Sequence, residues 1–159
     1  MKRFQCICGA PIFFDNHQCL QCGARVGFDP ESMNMVAVEQ HADLAYCGNH
    51  DHGVCNWLRP AQSEYDLCQA CQFNRTIPNL NLPHNTERWA ALERAKKRLF
   101  YSLYQLELPM ADGGRAGSKG LLFDFLDDSR TQPESYPDTF ITSGFAEGVI
   151  TINVLEADD

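Results

Sequence analysis

The chain has 159 residues, 44% hydrophobic and 21% charged, which excludes a disordered acidic tail and a low-complexity protein. Its net charge of −8 is uneven: positions 1–119 hold twelve basic and twelve acidic residues, and positions 120–159 hold Arg130 and nine acidic ones. Phosphate binding needs a positive surface, so this balance argues against nucleic acid as the main partner. No apolar run reaches the ~18 residues of a membrane span. The start, MKRFQCICGAPIFF, puts Gln5 and two cysteines where a signal peptide has its apolar core. A cytoplasmic protein with no membrane partner is expected.

The eight cysteines, Cys6, Cys8, Cys19, Cys22, Cys47, Cys55, Cys68 and Cys71, all lie in the first 71 residues. A reducing compartment disfavours a disulfide framework, and closely spaced pairs suit tetrahedral metal sites. Cys19-Leu20-Gln21-Cys22-Gly23 is a knuckle in which two thiolates grip one ion from a tight turn. Cys6-Ile7-Cys8-Gly9 is a tighter version. Between them Pro11-Ile12-Phe13-Phe14 and the turn formers Asp15-Asn16 make a short hairpin, which predicts a zinc ribbon.

Cys47, Cys55, Cys68 and Cys71 form the second set, with Cys68-Gln69-Ala70-Cys71 as its knuckle. His50 and His52 lie in the loose gap between Cys47 and Cys55 and are alternative ligands; an all-cysteine site is favoured. His17, His41 and His84 receive no role. Sequential pairing, 6–22 and 47–71, is favoured over a cross-braced arrangement, which spacing leaves open. Two structural Zn2+ ions are expected. Four protein ligands close each coordination sphere, so neither ion has an open position for water.

Further along, Gly27-Phe28-Asp29-Pro30 reads as a turn ending the first ribbon. Met33, Met35, Val36 and Val38 suggest a short strand inside the linker 31–46. Pro78 and Pro83 keep 77–85 extended. A helix is predicted over 86–107, capped by Asn85 or Thr86, with Glu87 in its first turn. Leu92, Ala95, Leu99, Leu103 and Leu106 recur at helical spacing and are read as its core stripe, flanked by Trp89 and Phe100. Glu93 and Lys97 are an i,i+4 pair. The basic run Arg94, Lys96, Lys97 and Arg98 is read as a solvated face, with an acidic-partner or nucleic-acid contact as the alternative.

Residues 110–120, MADGGRAGSKG, read as a flexible glycine-rich loop, not a phosphate-binding one, because glycine follows the lysine and no strand precedes it. A strand at 121–126 follows, then a polar loop at 127–139 and a short extended piece at 140–142. The strongest strand pattern is 149–155, in which Ile150, Ile152 and Val154 alternate with Thr151 and Asn153. The acidic end, Glu156-Ala157-Asp158-Asp159, reads as a solvated terminus. No Ser/His/Asp set and no HExxH is visible, so no catalytic residue is assigned. The fold class is α+β: a double four-cysteine zinc ribbon, one long helix and a few strands of an incomplete second domain.

These residues resemble the amino-terminal portion of a bacterial family of zinc-binding metallopeptidases that begin with a zinc ribbon. The resemblance is carried by Phe4-Gln5-Cys6-Ile7-Cys8-Gly9, Phe13-Phe14-Asp15-Asn16, Cys19-Leu20-Gln21-Cys22-Gly23 and Gly27-Phe28-Asp29-Pro30. It continues through Cys55-Asn56-Trp57-Leu58, Cys68-Gln69-Ala70-Cys71, Arg75-Thr76-Ile77-Pro78 and Ala95-Lys96-Lys97-Arg98-Leu99. Phe123-Asp124-Phe125 and Gly148-Val149-Ile150-Thr151-Ile152-Asn153, leading to Glu156-Ala157-Asp158-Asp159, complete it. The resemblance implies that an HExxH helix, holding a catalytic zinc, lies beyond residue 159. It also implies a histidine where this chain has Phe145.

The expected organisation is a double zinc-ribbon module at 1–74, a connecting segment with the long helix at 75–109, the loop 110–120, and the start of a peptidase-like domain at 121–159. The chain is then either a fragment or a natural short form. Three functions follow: a structural zinc-binding and interaction module, the front half of a metallopeptidase, and a nucleic-acid-binding ribbon. A protein partner or a missing carboxy-terminal domain is the expected companion.

Overall fold

The computed structural model describes residues 2–111, 120–128 and 140–158. Most of the loops expected at 110–120 and 127–139 therefore lies outside the described residues. The chain forms two compact units, Met1–Cys71 and Gln72–Asp159. Among the described residues no helix is long and apolar enough to cross a membrane.

The first unit is built from three antiparallel hairpins: β1 (Phe4–Gln5) with β2 (Pro11–Ile12), β3 (Val26–Asp29) with β4 (Asn34–Ala37), and β5 (Leu44–Tyr46) with β6 (Leu58–Pro60). The segment expected to turn at 27–30 is thus mostly strand. Its turn comes after Asp29, whose carboxylate accepts from the amides of Glu31 and Ser32, both at 3.1 Å. A cluster of rings forms the core. Phe4, Phe14, Phe28 and Trp57 are each at most 1% exposed. Phe28 packs 4.9 Å from Phe14 and 4.8 Å from Trp57 between ring centroids. Asn56, itself buried, donates to Phe14 O at 2.6 Å and Asn16 O at 3.0 Å, and its carbonyl accepts from the Phe28 amide at 2.9 Å. Gly27 allows the close approach: a Cβ there would lie 2.6 Å from Leu58 Cδ2 and 2.8 Å from Asn56 O.

Among the described residues the second unit is a four-stranded sheet and one α-helix. Its strands are β7 (Asn74–Thr76), β8 (Leu122–Leu126), β9 (Gly144–Ala146) and β10 (Val149–Asn153), in the order β7-β8-β10-β9. β7 and β10 both run parallel to β8, and only the edge strand β9 is antiparallel. Helix α1 (Asn85–Gln105) is the crossover from β7 to β8, as a parallel pair requires. β9 went unread in the sequence because Gly-Phe-Ala carries no alternation. The piece at 140–142 is held beside β10, with the Ile141 amide donating to Asp128 at 2.8 Å and the Ile141 carbonyl accepting from Asn153 at 3.0 Å.

Three helix readings are corrected. First, His84 precedes α1 in a left-handed conformation (φ 64°) without a side-chain cap. Asn85 is buried and donates to Asn79 O at 3.0 Å and Asp127 at 3.1 Å, holding the incoming loop. Second, the buried face is Asn85, Trp89, Glu93, Lys96, Lys97, Phe100 and Tyr101. The leucine row expected in the core lies on a flank, with Leu99 44% and Leu106 67% exposed. Third, only Arg94 and Arg98 of the basic run are exposed, whereas Lys96 and Lys97 are buried.

A buried lysine needs a partner, because an uncompensated charge in a low-dielectric interior is costly. Lys96 Nζ donates to Glu93 Oε1 at 2.8 Å and to Asn74 Oδ1, and Asn74 Nδ2 reaches the same carboxylate at 2.5 Å. The ammonium also lies 5.4–5.9 Å from the ring centroids of Phe100, Phe123 and Phe125, within cation–π range. This network ties β7 to α1 and β8.

The acidic end is not frayed where it is described. Val154–Asp158 makes a short 3-10 turn with Val154 fully buried, and Asp158 accepts two bonds from Arg88 at 2.8 and 2.5 Å.

Lys96→Met, which removes the ammonium that faces the buried Glu93 carboxylate, is expected to cost about 3–5 kcal/mol in urea unfolding. The pair E93L/K96M is expected to recover part of that loss, because the Glu93–Lys96 ion pair is then removed from both sides. The Arg75 guanidinium of β7 donates to the buried Asp124 carboxylate of β8 and holds its pKa below the ordinary aspartate value of 3.8. A lowered folded pKa means that this contribution is present above that value and is lost as pH falls through the folded pKa. The denaturation midpoints of the native chain and Arg75→Gln are therefore expected to differ at pH 7 and to converge progressively below pH 3.8.

Candidate metal centres

Each cysteine knuckle is shaped by its own backbone. The Gly9 amide donates to Cys6 O at 2.9 Å and the Cys6 amide to Ala10 O at 2.8 Å. In the second knuckle Gly23 donates to Cys19 O and Cys19 to Ala24 O, both at 2.8 Å. Gly9 (φ 84°) and Gly23 (φ 77°) sit in the left-handed region, which glycine adopts without a Cβ penalty. The turns thus bring both sulfur pairs to one point.

Cys6, Cys8, Cys19 and Cys22 form one group and Cys47, Cys55, Cys68 and Cys71 another, the sulfur atoms within each group lying within 4.8 Å of one another. The grouping is sequential. None of the eight is disulfide-bonded. A tetrahedron with Zn–S legs of ~2.3 Å has edges of about 3.8 Å. The observed separations are 3.6 Å for Cys6–Cys22, 3.8 Å for Cys8–Cys19 and 3.8 Å for Cys55–Cys68. All-sulfur donor sets at these spacings are compatible with two structural zinc ions.

Titration of the thiols points the same way. Without a cation, each group holds one sulfur that ionises readily beside at least one that resists. In the first group Cys19 is lowered to about 7, chiefly by the Cys22 amide. Cys22 is pushed up to about 12: the Ala24 amide pulls it down, but Cys8 and Cys6 beside it outweigh that pull. In the second, the Cys55 thiol chiefly draws Cys47 down, while burial drives Cys55 and Cys68 well up. A divalent cation at the centre relieves this conflict and stabilises all four thiolates together.

The two centres differ in exposure. Cys8 and Cys22 are open to solvent, whereas Cys47, Cys55, Cys68 and Cys71 are all buried, none more than 1% exposed. The second group also receives backbone donors: the Cys68 amide to Cys47 Sγ at 3.3 Å and the Trp57 amide to Cys55 Sγ at 3.4 Å. His50 is held beside this group. Its ring stacks on Tyr46 at 3.7 Å, and its Nδ1 lies 2.9 Å from Cys55 O. His52 is exposed, and neither histidine belongs to a four-atom group. Asn56 and Trp57, which seat the second group against the ring cluster, were not singled out as site residues. Their sequence signal is their place in the Cys55-Asn56-Trp57-Leu58 stretch that carries part of the family resemblance.

Residues 3–82 match the model of the zinc-ribbon domain family. The chain belongs to that family. Residues 85–159 match the model of a family described as "Putative zinc-binding metallo-peptidase". An uncharacterized protein of Mycobacterium bovis and two of Mycobacterium tuberculosis are each 31% identical over 160 residues. The alignment covers 100% of this chain and 45% of theirs, so the chain spans less than half the length of these curated relatives. No solved structure matches it.

The difference in exposure predicts unequal metal release. With excess chelator and a zinc-sensitive dye, release is expected in two phases of equal amplitude. Cys8→Ser is expected to abolish the fast phase and leave the slow one unchanged.

Proposed function

We propose that this chain is a structural zinc-binding module. Cys6, Cys8, Cys19 and Cys22 hold one ion, and Cys47, Cys55, Cys68 and Cys71 hold the other. The observation that carries this reading is the pair of four-sulfur groups at zinc-thiolate spacing, each using all four tetrahedral positions. A unit of 71 residues buries too little apolar surface for comfort, and a structural zinc contributes on the order of 10–16 kcal/mol in model peptides.

The second unit is, in this reading, the opening of a zinc metallopeptidase domain, a hydrolase whose HExxH helix follows residue 159. Support comes from the family match over 85–159 and from relatives more than twice as long. The ribbons then form the amino-terminal unit of the enzyme, and no catalytic residue is assigned among the described residues. The nucleic-acid reading loses ground, since its main feature was the basic run and Lys96 and Lys97 are buried.

Native mass spectrometry of the purified 159-residue chain is expected to give two zincs per molecule, with loss of folded signal in Met1–Cys71 on chelation. One zinc or none would refute the module. For the enzyme reading, the longer gene product is expected to cleave peptides and to lose that activity when its HExxH glutamate is changed to glutamine. Unchanged activity would refute it.

A further inference from the structure

The sheet of the second unit is wider than the helix that covers it. Four strands at ~4.8 Å spacing span about 19 Å, and a helix with its side chains covers ~10 Å. α1 closes over β7 and β8, so Phe123 is 3% exposed and Phe125 fully buried. On the same face, register places Ile150 beside Phe123, Ile152 beside Phe125, and Phe145 beside Ile150. There the cover stops: β10 is half-buried along its length, β9 is exposed throughout, and Phe145 is 71% exposed.

The displaced leucine row borders this same space. At 100° per residue, Leu92, Ala95, Leu99, Leu103 and Leu106 form a band about a quarter turn from the buried face of α1. Arg88 lies in that band, and it grips Asp158 in the turn directly after β10. The band therefore looks toward the β10–β9 side. A wall of leucines and a floor of Ile150, Ile152 and Phe145 make an apolar trough about one helix wide. The opposite face of the sheet has less need of cover. It carries the Arg75–Asp124 pair, and Arg75 and Thr151 line a pocket of about 410 Å³ with Glu147 and others.

We infer that this trough seats an amphipathic helix from the polypeptide that the longer relatives carry beyond the matched stretch. Parallel strands are covered by helices, not left half bare. A row of apolar side chains at helical spacing is the surface into which a second helix packs its own ridges. The relatives leave more than half of their length outside this alignment, ample for such a helix. The inference rests on the reading that the protein continues as its relatives do.

Two measurements separate the inference from that reading. The intact mass of the protein from its native cells, under denaturing conditions, shows whether the product is longer; a mass of 17.9 kDa would defeat both. Given a longer product, hydrogen exchange is compared between it and the 159-residue chain. Amides of 92–106 and 144–152 are expected to exchange at least tenfold more slowly in the longer form. Leu99→Arg and Phe145→Arg are expected to lower its melting temperature by several degrees and leave that of the short chain unchanged. Equal exchange in the two forms would overturn the inference while the longer protein stands. So would a concentration-dependent dimer of the short chain protected over the same residues, since a second copy would then be the occupant.

Discussion

Eight sulfur atoms pressed into two groups of four are the constraint from which the first unit follows. Like thiolates repel, and crowded thiols resist ionisation; only a cation between them makes the arrangement favourable. Everything else in the unit serves to hold those sulfurs at about 3.8 Å. The strands of its first hairpin are two residues each, too short to be stable alone, and the ring cluster contains only four fully buried aromatic side chains. The metal-binding turns supply the rigidity that a larger core would give to a larger domain.

The second unit meets the opposite difficulty. It has enough apolar surface, yet it buries a charge in the middle of it. Lys96 sits among three phenylalanine rings, neutralised by Glu93 and steadied by Asn74. Such a pair adds little net stability over an apolar replacement. It does fix orientation, because α1 can satisfy this network in one rotation about its axis and not in a neighbouring one. The leucine flank has no comparable demand and is left facing outward.

The metal groups were legible because their information is local. A CxC or CxxC turn followed by glycine specifies its own geometry, and both groups close within 25 residues. The α+β class, the helix and two of the strands were legible from periodicity. The face of the helix was not. Leu92, Leu99 and Leu106 give the cleaner apolar row, and Lys96 and Lys97 read as surface. The burial of Lys96 depends on Asn74 and on Phe123 and Phe125, far away in sequence, so no window along the chain contains the reason. β9 was missed for a related cause: three residues pair only because β10 offers an edge.

Asn56 gives the first unit a direction in time. The first hairpin can gather its four sulfurs as soon as Cys22 has been made. The side chain that braces its Phe14–Asn16 corner, and the indole that caps its ring cluster, arrive about 35 residues later in the chain. At ribosomal speeds that is an interval of roughly 2–7 seconds. During it the nascent hairpin is a metal-binding loop without its support, open to other soft metals and to oxidants. The first centre is thus assembled before the residues that brace it, and with Cys8 and Cys22 open to solvent it stays the more accessible of the two once they arrive.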